Sequence, residues 1–148
     1  MSIDTQPFTI EERLPSAAEF NTLIQAVGWQ GYFNLEVTAT ALQNSLYGVV
    51  AKTGNSVIGM CRIVGDGAIN YYLQDLVVLP AYQRRGVGTQ LMDRMMAYLY
   101  QHAPDNAYVG LFAVKGTQAF YRQYGFQGPD GFLYGMARKI RLPPAVPG

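Results

Sequence analysis

The period of apolar and polar positions changes several times along the chain, and each change marks an element. Phe8 and Ile10 alternate with Thr9 and Glu11, which predicts an opening strand over Phe8 to Leu14. Pro15-Ser16-Ala17-Ala18-Glu19 has the spacing of a capping box, with Ser16 as N-cap and Glu19 three residues on. Phe20, Leu23, Ile24 and Val27 follow at helical spacing, and Gly28 is the expected stop. An aromatic loop, Trp29 to Asn34, leads to a short helix expected over Thr38 to Ser45. Leu46 to Lys52 and Ser56 to Val64 read as a hairpin about Thr53-Gly54-Asn55, and Gly65-Asp66-Gly67 turns the chain into a third strand, Ala68 to Leu79. Pro80 stops that strand, because proline cannot donate to a ladder. Val87, Leu91, Met95, Tyr98 and Leu99 form one apolar stripe and predict a helix over Gly86 to Tyr100. Beyond Pro104-Asp105-Asn106 come a strand over Ala107 to Val114, a short helix over Thr117 to Tyr124 ended by Gly125, and a last strand over Phe132 to Ile140. Leu142 to Gly148, rich in proline, reads as a loose tail.

The order is β-α-α-β-β-β-α-β-α-β. The helix between the Ala68 and Ala107 strands makes that pair parallel, while the hairpins make the rest antiparallel. The expectation is an α/β (mixed α+β) fold in one domain, residues 1–141, with a tail over 142–148. At 148 residues the chain can bury about 70% of its unfolded surface. Charged residues are only 14% and the net charge is +1, so no broad electrostatic footprint for nucleic acid exists. No apolar run approaches the ~18 residues that span a bilayer, and residues 1–6 do not resemble a leader, so a soluble cytoplasmic protein is expected. The single cysteine, Cys61, falls inside a predicted strand and is expected to be a buried, inert thiol. His102 is the sole histidine, and with no ligand cluster in the sequence a metal site is not expected.

Gln83-Arg84-Arg85-Gly86-Val87-Gly88 carries the clearest chemistry. A glycine-rich turn opening a helix offers free backbone N–H groups at the positive end of the helix dipole, which suits a phosphate or pyrophosphate. The spacing fits neither a P-loop nor a dinucleotide fingerprint. After a strand ending Val77-Val78-Leu79-Pro80, Gln83-x-x-Gly86-x-Gly88 resembles the acetyl-CoA signature of the GNAT N-acetyltransferase superfamily. A second stretch, Ala119-Phe120-Tyr121-Arg122-Gln123-Tyr124-Gly125-Phe126, is similar to that family's Phe-Tyr-x-x-x-Gly-Phe segment.

The resemblance implies a GNAT fold: a mixed, mostly antiparallel sheet with helices on both faces, in which the parallel pair splays to admit the pantetheine arm of acetyl-CoA. It implies that Leu76, Val77 and Val78 pair with the pantetheine amides, that a backbone N–H there, that of Val78, polarises the thioester carbonyl, and that Arg84, Arg85, Gly86, Val87, Gly88 and Thr89 surround the pyrophosphate. Arg84 and Arg85 read equally as surface charges. Tyr121 is the implied general acid for the departing thiolate, with Tyr124 as its decoy. Where many members have asparagine, this chain has Lys115. The family's acceptor side makes Trp29, Tyr32 and Phe33 pocket candidates, although the same rings could simply anchor the loop.

The base is less evident. Strand alternation places Tyr72, Gln74, Leu76 and Val78 on one face and Leu73, Asp75 and Val77 on the other. The histidines and glutamate that relatives use at the places of Tyr72 and Gln74 are missing. Asp75 is the nearby carboxylate, matched by an aspartate in glucosamine-phosphate acetyltransferases, and a buried carboxylate equally reads as one that needs a structural partner. Gly59-Met60-Cys61-Arg62 through Asp66-Gly67, with Asp75 following, is similar to small bacterial members and to plant-type serotonin acetyltransferases. Tyr71, Tyr72 and Tyr134 suit an aromatic amine. The reading is an acetyl-CoA-dependent N-acetyltransferase for a primary amine of a small molecule, acting by direct attack in a ternary complex; a homodimer is left open. A protein or peptide amine acetyltransferase, or a CoA-binding sensor without turnover, are the alternatives.

Overall fold

The protein is seen in a computed structural model that describes residues 6–128 and 135–145. Two compact units divide it, one ending at Leu111 and one beginning at Phe112. The first holds β1 (Thr9–Glu11), α1 (Ala17–Ala26), α2 (Thr38–Gln43), β2 (Tyr47–Thr53), β3 (Ser56–Gly65), β4 (Asn70–Val78), α3 (Val87–His102) and β5 (Tyr108–Gly110). The second holds α4 (Gln118–Arg122).

The five strands form one sheet in the order β1-β2-β3-β4-β5. The first three pairings are antiparallel, and β4 with β5 is parallel. This mixed α/β arrangement is the one expected. Local chemistry explains its turns. The β2–β3 hairpin closes at Thr53↔Ser56 around Gly54, which sits at φ 56°. At the next turn Asp66 Oδ1 accepts the backbone N–H groups of Ala68, Ile69 and Asn70 at 2.8–2.9 Å. Gly65, at φ 152°, could not carry a Cβ, which would lie 2.1 Å from the Asn70 carbonyl oxygen.

Register sorts the core onto two faces. Phe20, Leu23, Ile24 and Leu42 of α1 and α2 cluster with Val50, Met60 and Val77 of the sheet. On the other face the buried stripe of α3 (Val87, Leu91, Met92, Met95, Leu99) covers β2, β3 and β4. A Cβ on Gly59 would approach Leu91 and Val87 to 3.2 and 3.4 Å, so the helix lies almost on the backbone. α1 begins as expected: Ser16 Oγ accepts the Glu19 N–H at 3.1 Å, and Glu19 Oε1 accepts the Ser16 N–H at 2.8 Å. α3 ends at Ala103, whose extended backbone (ψ 139°) is what the following Pro104 requires.

The departures lie at edges. β1 is three residues rather than seven, and Arg13 N–H turns back onto the Glu11 carbonyl at 3.1 Å. The aromatic loop contains one 3-10 turn, Gln30–Tyr32, and a second, Leu35–Val37, follows it before α2. Gly135 to Ile140 takes no strand pairing, and the rest of that predicted strand, with Tyr134, lies outside the described residues. β5 pairs at only three positions, ending at Tyr72↔Gly110. β4 runs on to Val78 with β3 on one side and no further β5 partner on the other.

Candidate active site

The open stretch of β4 contains an irregularity that period-two reading missed. Gln74 pairs with Arg62 and Val77 with Met60, so Asp75 and Leu76 together oppose the single residue Cys61. This is a β-bulge, and Asp75 occupies it at φ 60°. The bulge overturns the expected alternation. Gln74 and Val77, three residues apart, both pair with residues of the α1–α2 face, while Leu73 and Val78 pair with Ile63 and Gly59 of the α3 face.

Asp75 is not an isolated carboxylate. Its Oδ2 accepts a hydrogen bond from Arg62 Nε at 2.6 Å, and the two side chains are 6% and 14% exposed. Arg62 Nη1 also donates to Ser45 Oγ at 3.0 Å and to the Ala41 carbonyl at 3.4 Å. Opposite the bulge, Cys61 is fully buried; desolvation pushes its thiol up to about 12, assisted by the nearby Asp75 charge. A thiol so disposed is protonated at neutral pH and makes no nucleophile.

After β4 the chain makes a 3-10 turn at Pro80–Tyr82 and enters the glycine turn. Gln83 Nε2 donates back to the Val78 carbonyl at 3.0 Å. Arg84 (φ 63°) and Gly86 (φ 82°) are both left-handed, and Gly86 is the N-cap of α3. The first bond closed within the helix runs from Gln90 N–H to the Gly86 carbonyl at 3.0 Å. Helix geometry therefore aims the earlier amides out along the axis. Among the described residues, nothing beyond its own chain neighbours lies within 4 Å of where a Gly86 Cβ would stand, so the turn faces open space. These features fit a pyrophosphate group. Arg84 is exposed there. Arg85 is used differently from the expectation. Its Nη2 donates to the Gln6 carbonyl, and its guanidinium lies 5.9 Å from the Phe8 ring centroid and 5.6 Å from that of Tyr82. That side chain straps the N-terminal segment to the turn, while its buried Nη1 is without a hydrogen-bond partner among the described residues.

The remaining candidates divide. Trp29 and Phe33 pack on the α1–α2 core, Phe33 edge-on to Phe20 at 6.0 Å, so they anchor their loop; Tyr32 is 67% exposed. Tyr72 is half-buried with its ring 6.2 Å from that of Tyr108. Tyr121 belongs to the second unit, half-buried in α4, with its ring 5.2 Å from Phe120 and 6.3 Å from Phe126. His102 lies in the last turn of α3 against Tyr98. Among the described residues no group of three or more His, Cys, Asp or Glu gathers to hold a metal, and no helix is long and apolar enough to cross a membrane. Arg62 and Ser45 went unread as site residues, although adjacent polar residues Gln74 and Asp75 inside an apolar strand are a signal of broken alternation.

A family model described as an acetyltransferase (GNAT) domain matches residues 43–128. The chain is 31% identical to a histone acetyltransferase TAP1 of Glycine max, over 80% of this chain and 54% of that protein. It is 34% identical to serotonin N-acetyltransferase 2, chloroplastic, of Oryza sativa subsp. japonica, over 54% of this chain and 39% of that one. The chain thus spans about half or less of the length of these curated relatives. Among solved structures, a probable acetyltransferase of unknown function from Staphylococcus aureus superposes with TM-score 0.83 at 25% identity, covering 90% of this chain and all of that one. A GNAT family acetyltransferase from Streptococcus pneumoniae gives 0.75 at 34% identity, covering 91% and 99%.

Proposed function

The chain belongs to the GNAT acetyltransferase family, and from that premise we propose that it transfers the acetyl group of acetyl-CoA to a primary amine of a small molecule. One observation carries the reading: the edge of β4 that loses its β5 partner after Tyr72 leads, through the Pro80–Tyr82 turn, into a left-handed turn at the start of a sixteen-residue helix. An extended, amide-bearing arm that ends in a pyrophosphate is the ligand those two features suit in succession.

In this reading Leu76, Val77 and Val78 offer backbone groups to the arm. The backbone of Arg84 to Thr89 receives the pyrophosphate, with the Arg84 cation beside it. The Val78 N–H donates to the thioester oxygen as charge develops on it. The amine attacks the carbonyl carbon directly, and the C–S bond breaks. Tyr121, assigned by its likeness to the family's Phe-Tyr segment, is the general acid that gives its phenol proton to the departing sulfur. The ion pair of Asp75 with Arg62 argues against Asp75 as the base. The amine, whose ordinary pKa is near ~10.4, passes its proton to bulk solvent along waters that hydrogen-bond to backbone carbonyls and Tyr72. Exposed Tyr32, half-buried Tyr72 and Gln74 line the acceptor side. The likeness to a serotonin acetyltransferase favours an aromatic primary amine, and the likeness to a histone acetyltransferase favours a lysine side chain as the second reading.

The test is release of CoA thiol from acetyl-CoA with tryptamine, spermidine, amino acids and lysine peptides, beside Tyr121→Phe. Turnover with the arylalkylamine, reduced about a hundredfold in the variant, is expected of a lost general acid. Turnover with peptides alone moves the substrate to protein amines. Undiminished turnover in Tyr121→Phe removes the acid assignment. Binding of acetyl-CoA without turnover on any amine makes the protein a CoA sensor.

A further inference from the structure

The bulge in β4 is held by side chains that reach out of the sheet. A non-glycine residue at positive φ is strained, Asp and Asn least of all, and the conformation of Asp75 at φ 60° therefore leans on its surroundings. The candidate is its buried partner, Arg62. The guanidinium is a fork: Nε holds Asp75, Nη1 holds Ser45 Oγ and the Ala41 carbonyl, and its carbon lies 5.9 Å from the Phe20 ring centroid. Ser45 Oγ in turn donates to the Ala41 carbonyl at 2.9 Å. One arginine therefore ties the bulge to the end of α2 and to α1, the helices that carry the aromatic loop between them. Lysine could keep the charge but not the fork.

We infer that Arg62 is a positioning residue: by pinning Asp75 at the bulge to the α1–α2 layer, it fixes the direction of the β4 backbone amides from Leu76 to Val78. Without the extra residue opposite Cys61, Val77 would turn to the α3 face and every amide beyond it would reverse. Binding at the pyrophosphate turn does not depend on that direction, whereas polarisation of the thioester does. The catalytic half of the inference rests on the acetyltransferase reading; the pin itself does not.

Arg62→Lys and Asp75→Asn test it, Asn being tolerated at positive φ. Amide hydrogen exchange and acetyl transfer are read on both, with an unfolding curve to establish folding. In folded Arg62→Lys, exchange at Leu79, whose amide just beyond the bulge donates to the Ile58 carbonyl at 2.9 Å, should quicken at least about tenfold, a local loss of ~1.4 kcal/mol, while the β2–β3 ladder is unchanged. The kcat should fall about tenfold with KM for acetyl-CoA within about threefold, the pattern of a lost transition-state interaction. Asp75→Asn should show the same split. Unchanged exchange in both variants overturns the pin. Loosened amides with unchanged kcat overturn its catalytic consequence. Turnover abolished by Asp75→Asn and spared by Arg62→Lys makes Asp75 the base instead. If the wild-type chain transfers acetyl to no amine, the acetyltransferase reading falls, and exchange alone decides the pin.

Discussion

Asp75 and Arg84 hold nearly the same backbone angle, φ 60° and 63°, in opposite surroundings. Asp75 is buried, charged and paired; its side chain is what holds the backbone out of line. Arg84 is exposed in a turn already shaped by the Pro80–Tyr82 turn before it and Gly86 after it. At the first position the side chain is tied to a partner across the sheet, and at the second it is left exposed to solvent. A strained angle thus marks either a support or a contact, and burial separates the two.

The comparison is broken most directly by Arg62→Leu. Removing one partner strands a buried carboxylate, and urea unfolding should register a loss of about 3–5 kcal/mol. A loss under ~1 kcal/mol would mean that Asp75 needs no support. Gly86→Ala comes next: the N-cap at φ 82° should cost about 1–2 kcal/mol and, on the proposed role of the turn as the pyrophosphate site, raise KM for acetyl-CoA. Arg84→Gly sharpens the contrast from the other side. Stability should change by less than ~1 kcal/mol, relief of strain offsetting the freer unfolded chain. KM for acetyl-CoA should rise and lose part of its salt dependence.

A part-exposed ion pair supplies the smallest effect. The Arg13 guanidinium donates to both carboxylate oxygens of Glu19, at 2.8 and 3.2 Å, and holds that carboxyl at about 2 against an ordinary 4.5. A depressed folded-state value stabilises the protein above the unfolded value, so this contribution is complete above about pH 4.5 and fades as pH falls towards 2. Glu19→Gln should flatten that acid limb of the stability curve, by an amount well below the loss in Arg62→Leu, since water screens the pair.

Local signals were readable in advance. The Ser16–Glu19 capping box and the two hairpin turns are each written within a few residues and appear where expected, and the α3 stripe does so with Met92 buried in place of Tyr98. The glycine turn was legible for the same reason: left-handed geometry asks for glycine within the turn itself. What escaped depends on distant partners. The bulge arises from Asp75 and Leu76 meeting one residue of another strand, and no window around Asp75 contains Arg62 or Ser45. Arg85 looked interchangeable with Arg84, yet its place is set by Gln6 and Phe8, which fold back from the far end of the first unit's sequence. The short β5 escaped because apolar residues continue through Leu111 and Val114 after pairing stops at Gly110.

That early stop has a consequence for handling the protein. A strand that lacks a paired neighbour along one side among the described residues is a template for another chain, and part-exposed Leu76 and Val78 make it an adhesive one. A ligand that lies along the seam would act as a borrowed strand, shielding it from neighbours in proportion to its concentration. Supply of the acyl carrier would then govern colloidal behaviour as well as turnover, and preparations stripped of it would cloud on warming before those that keep it.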